Sequence, residues 1–127
     1  MQTQNIVQTF VAAEAITEFA LVSIDAAGKV VITDAGTDEK CVGVAQRACS
    51  AGEVVDVVVS GVTRVISAGN LTFVNTPRLS ATTNGEVEAV AQGDYAVCRI
   101  LPNINQVSSA AGEQLLVLFF GPVELKA

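Results

Sequence analysis

Histidine and tryptophan are both absent from this chain of 127 residues. Without an imidazole there can be no Ser-His-Asp or Cys-His nucleophile, and the commonest metal ligand is missing as well. Simple acyl-transfer and zinc-hydrolase chemistry are thereby removed. With no Trp, one Tyr (Tyr95) and five Phe, the chain also has little with which to stack on the face of a sugar. Basic charge is scarce: 7 Lys+Arg stand as single positions against 13 Asp+Glu, for a net charge of −6. A nucleic-acid binder needs a clustered basic face, so no direct nucleic-acid contact is expected. No apolar run approaches the roughly 20 residues of a membrane span, and no membrane partner is expected. The first basic residue is Lys29, too late for the positive start of a secretory signal, so the reading is a soluble protein made in a cytoplasm.

The three cysteines, Cys41, Cys49 and Cys98, cannot all pair within one chain, and seven residues separate the first two, which is no metal-knuckle spacing. They read as small core residues in a reducing compartment. Carboxylates are then the only acid/base groups left. Asp34, Asp38 and Glu39 form a local cluster, but its spacing matches no recognised calcium loop and it reads as a solvated acidic turn. Glu86 and Glu88 alternate along one strand and read as a wet face. No catalytic, cofactor-binding or metal-binding residue is assigned, and the chain is expected to be neither an enzyme nor a cofactor carrier.

What is present is apolar and repetitive. Half of the residues are hydrophobic and the mean hydropathy is +0.49, so some apolar surface should be hidden against a partner or other copies of the chain. The sequence around Gly28 returns around Gly85, an offset of 57, and that around Gly52 returns around Gly112, an offset of 60. Phe10 to Ala13 likewise falls on Val65 to Ala68. The drift is small, and the reading is one supersecondary unit used twice, over residues 6–60 and 61–121. At this length the two halves must share a core, making residues 6–127 one domain preceded by a polar, uncharged arm over 1–5.

Strands are expected over Ile6–Val11, Leu21–Ile24, Lys29–Thr33, Cys41–Ala45, Val54–Val59, Val62–Ile66 and Gln114–Phe120. Asp25 to Gly28 and Asn84-Gly85 supply the hairpin turns. Ala12 to Ala20 should be a loop with at most one helical turn, and Pro102 and Pro122 should mark places where pairing stops. Leu115 to Phe120 carries no charge and is expected to be buried on both faces, in the core or in a subunit interface. The fold class is all-β, a compact barrel or sandwich of two similar halves with little helix.

Taken together, Leu21-Val-Ser-Ile-Asp-Ala-Ala-Gly-Lys-Val-Val, Val42-Gly-Val-Ala, Ala51-Gly-Glu-Val-Val-Asp-Val-Val-Val-Ser-Gly and Val65-Ile-Ser-Ala-Gly resemble the small β-rich capsid decoration, or cement, proteins of tailed bacteriophages. The likeness runs over about residues 6–121. It departs from the family at Asn75-Thr-Pro-Arg78 and at Val97-Cys-Arg99, which affects loop contacts more than fold. The resemblance implies a virion protein on the outer face of an icosahedral head, partnered by the major capsid protein and often trimeric, that stabilises the head against packaged DNA. The arm, outside the repeat and uncharged, is expected to be flexible when free and to order on binding by adding a strand to the capsid subunit or a neighbouring protomer, so Gln2, Thr3, Gln4, Asn5, Ile6 and Val7 are the expected capsid contacts, the other reading being an ordinary frayed terminus. The alternative is a carbohydrate- or ligand-binding β-module of a fibre or surface protein.

Overall fold

The computed structural model describes residues 5–33, 40–72, 78–89, 95–101 and 108–124. Eleven strands follow one another: β1 (Ile6–Val11), β2 (Leu21–Ile24), β3 (Val30–Ile32), β4 (Cys41–Ala45), β5 (Val54–Ile66), β6 (Leu71–Thr72), β7 (Arg78–Ala81), β8 (Val87–Ala89), β9 (Tyr95–Ile100), β10 (Ser108–Ser109) and β11 (Gln114–Glu124). Nine of them form a single sheet in the order β3-β2-β4-β5-β11-β9-β7-β8, with β1 added on β5; β6 and β10 pair separately. The sheet is antiparallel and curls into a half-barrel. The fold is all-β, as the turn punctuation and the β-branched runs imply. Among the described residues no helix is long and apolar enough to cross a membrane.

The two-fold use of one unit is visible at the level of single hydrogen bonds. In the first half β2 pairs with β3 and β4, β4 with β5, and β5 with β1; in the second, β7 pairs with β8 and β9, β9 with β11, and β11 with β5. Each half is thus a five-stranded sheet of the same order. The amide of Gly52 donates to Ala12 O at 2.8 Å, and that of Gly112 to Ser67 O at 2.7 Å. Glu53 Oε1 accepts from the Ser50 amide at 2.6 Å, and Glu113 Oε1 from the Ala110 amide at 2.5 Å. Gly52 and Gly112 share φ values of 86° and 85°, which only glycine adopts freely. Isolated parallel bridges also repeat, Ala12 with Val30 and Ser67 with Val87.

The halves are joined by sharing, not by a linker. The strands expected over Val54–Val59 and Val62–Ile66 are one continuous strand, because Gly61 takes φ 131° inside β5 and lets the chain run on. Residues 54–60 of β5 pair with β1, and residues 61–66 pair with β11. The same strand closes one unit and opens the next. Pro122 similarly lies within β11: pairing with β9 breaks after Phe119 and resumes at Val123. Pro102 lies outside the described residues.

Packing makes the two units unequal. One cluster, with Ala12, Ile16, Val22, Val30, Val55 and Val57, belongs to the first half alone. The other, built on Leu79, Val87, Leu115, Val117 and Phe119, also takes in Leu21, Cys41 and Val44 from the first half. The inner face of the second unit therefore covers part of the outer face of the first. The Asn84-Gly85 turn helps to fix this arrangement: Gly85 donates its amide to Thr33 O at 3.0 Å, and a Cβ there would stand 2.9 Å from Leu21 O. Its counterpart Gly28 faces open space.

One expectation about burial is corrected. Leu115, Val117 and Phe119 are buried, but Leu118 and Phe120 are 38% and 41% exposed, so the run from Leu115 to Phe120 has one buried face and one outward face. A six-residue apolar run does not abolish the alternation of a strand, and here only one side meets core. Phe120 was expected inside with Phe119 and is not. Cys41 and Cys98 are core residues, while Cys49 is only partly covered.

Candidate interaction surfaces

The apolar residues that the core leaves over gather on strands. β1 is exposed along its whole length except at Phe10, which leans on the first-half cluster. Ile6 is 62% and Val7 52% exposed, and Val11 lies directly opposite Val54, itself 48% exposed. Between them Thr9 donates its hydroxyl to Asp56 Oδ1 at 3.3 Å. Among the described residues β1 pairs with β5 alone, which leaves its other edge open to a further strand.

The base of the expected arm is anchored. Asn5 Oδ1 accepts from the Val62 amide at 2.9 Å, and Asn5 Nδ2 donates to Val62 O at 2.7 Å, so one side chain imitates a paired residue at the junction of the halves. Gly61 is needed there twice over: its φ is 131°, and a Cβ would come within 2.3 Å of Asn5 Oδ1. Of the six residues expected to touch a capsid, Ile6 and Val7 lie on the exposed strand and Asn5 is fastened beside it. Gln2, Thr3 and Gln4 lie outside the described residues.

A second surface was not foreseen. On the outward side of the second half, exposed Leu118 stands opposite Arg99, which stands opposite Arg78, and Arg64 and Phe120 are also exposed on β5 and β11. The signal lay in the repeat, since each arginine answers to an uncharged residue of the first half. No ion pair engages these arginines among the described residues.

Among the described residues the cysteines and acids do not come together in one cluster. Burial, and secondarily the nearby Cys41, push the Cys98 thiol far above the ordinary thiol range, so it stays protonated and is no nucleophile. Glu86 is half-buried and Glu88 exposed, and Asp34, Asp38 and Glu39 lie outside the described residues. Among the described residues no three acidic or cysteine side chains converge as a metal set would. A half-open cleft of about 470 Å³ lies where the loops of the two halves meet, lined by Thr17, Glu18, Ala20, Ile32, Ile66, Asn84, Gly85 and Glu86. It offers two carboxylates and no aromatic face.

No known family matches the sequence, and no curated protein does either. The fold does have a solved counterpart. The N base of the head fiber gp8.5 of bacteriophage phi29 superimposes with a TM-score of 0.70 over 95% of this chain and 99% of that one, at 11% identity.

Proposed function

We propose that the protein is a structural component of a tailed-phage head, bound to the major capsid protein on the outer surface and stabilising the shell. The observation that carries this reading is the fold match: nearly the whole chain superimposes on nearly the whole base of a phage head fiber. A shared fold does not by itself carry a role, so the argument also needs a surface suited to it. That surface is β1, with an open edge and exposed Ile6 and Val7 next to the arm. Strand addition would satisfy the open backbone groups and cover the apolar side chains together. Residues 2–7 are the proposed capsid contacts, and association into trimers is the proposed state on the head. The rival reading, a sugar-binding module of a fibre, draws no support from a cleft without aromatic side chains.

Co-sedimentation with emptied heads of the encoding phage tests the proposal. The full chain is expected to pellet with heads. Deleting residues 2–4, which spares the two hydrogen bonds of Asn5, should leave the melting temperature of the free protein within about 2 °C. Head affinity should fall at least about tenfold, or 1.4 kcal/mol. Truncated protein that decorates as tightly as the full chain would remove the arm from the contact, and failure of the full chain to bind heads would remove the proposal.

A further inference from the structure

The internal repeat gives the outward face of the second half a counterpart in the first. In the first half a row crosses four strands, Val7 opposite Val58, Val58 opposite Val44, and Val44 opposite Leu21. In the second half the same row reads Val62 opposite Leu118, Leu118 opposite Arg99, and Arg99 opposite Arg78. Leu21, Val44 and Val58 are buried, the first two in the cluster that the second unit lays over them. The equivalent positions of the second unit have no further unit on top. The face that one unit uses to receive the next is repeated at the end of the chain and left open, with Leu118 and Phe120 in it.

Its chemistry has been changed from apolar to apolar and basic. Arg78 and Arg99 stand directly opposite each other, a like-charge cross-strand pair that costs stability on a solvated face. Arg64 lies on the neighbouring row, opposite Leu116. Three of the chain's seven basic residues are thus on one face of a protein of net charge −6. The negative charge is concentrated elsewhere: residues 1–60 hold eight acidic against three basic side chains, and residues 61–127 five against four. The first half also offers an apolar outer face, Val7, Val11 and Val54, with Asp56 among them.

We propose that the Arg64, Arg78, Arg99, Leu118 and Phe120 face docks on the Val11, Val54 and Asp56 face of a second copy of this chain, which leaves Ile6 and Val7 to the capsid contact. The contact is between unlike surfaces, so each copy carries both a donor and a receiver face. It deepens the self-association within the proposed function and rests on that part of it alone, so it is measured on free protein without heads.

Sedimentation equilibrium of the full chain should show reversible association beyond 13.1 kDa, weakened by added salt because charges across the contact are screened. Arg99→Glu and Asp56→Arg should each weaken it at least about tenfold, or 1.4 kcal/mol. The chain carrying both changes should recover most of the loss, because opposite charges then face each other again. Leu118→Ser should weaken association without altering its salt dependence. All three sites are exposed, so each variant should keep a cooperative circular dichroism melt near the parent's, with Arg99→Glu no lower because it turns the Arg78–Arg99 pair into one of opposite charge. A chain that stays monomeric to roughly 100 μM, weaker than any useful self-contact, would overturn the proposal. So would association that Arg99→Glu and Leu118→Ser leave unchanged. Head binding by a monomeric chain would contradict this contact while leaving the capsid reading standing.

Discussion

At the scale of single residues, the decisive distinction is which side of a strand a side chain occupies. Leu115 and Leu118 sit three residues apart on β11, one buried and one outward. Leu115→Ala should cost about 2–5 kcal/mol through lost transfer energy and a cavity, while Leu118→Ala should cost less than about 1 kcal/mol. Urea denaturation of the pair checks this, and equal losses would mean that the outward face is covered. Cys98 supplies a pH signature. Its thiol is held neutral in the folded chain by burial and by Cys41, whereas in the unfolded chain it ionises above about pH 8.5. A raised folded pKa gives stability that is complete below the unfolded value and declines as pH rises beyond it. Between pH 8.5 and 10 the decline should be about 2 kcal/mol. Cys98→Ser, which cannot ionise, should lose less over the same interval, and parallel pH profiles for the two chains would contradict the assignment.

At the scale of elements, the repeat was legible because turns obey strict local rules. Gly28 and Gly85 recur at an offset of 57 and both take a positive φ, while Gly52 and Gly112, with the Glu53 and Glu113 carboxylates that cap the same turn, recur at an offset of 60 and make the same bonds in the structure. The join was not legible. Glycine usually ends a strand, so Gly61 was read as a boundary, yet at φ 131° it passes the chain through and makes β5 common to both units. Nor did composition reveal that Leu118 and Phe120 face outward, since an uncharged run carries no mark of which side meets core. The two hairpin turns allow a direct comparison of equivalent elements. Gly28→Ala, with φ 81° but open space, should cost about 1–2 kcal/mol from the left-handed backbone alone. Gly85→Ala, with φ 71° and the Leu21 backbone in its way, should cost clearly more. Equal chemical-denaturation midpoints would mean that the second turn is not locked onto the first unit.

At the scale of the whole molecule, the architecture is one curled sheet of two units that share β5. The first unit's outer face is partly covered by the second, and the second ends in a face with no unit above it. Of the candidate surfaces, Ile6 and Val7 were named from the sequence and are exposed, while the Arg64, Arg78 and Arg99 face emerged only when the strands were set side by side. The most direct test of the central claim is a reconstruction by electron cryo-microscopy of the purified particle of the encoding phage. The account predicts copies of this β fold on the outer head surface, with β1 against the major capsid protein. A fully resolved head whose outer surface lacks this fold would contradict it.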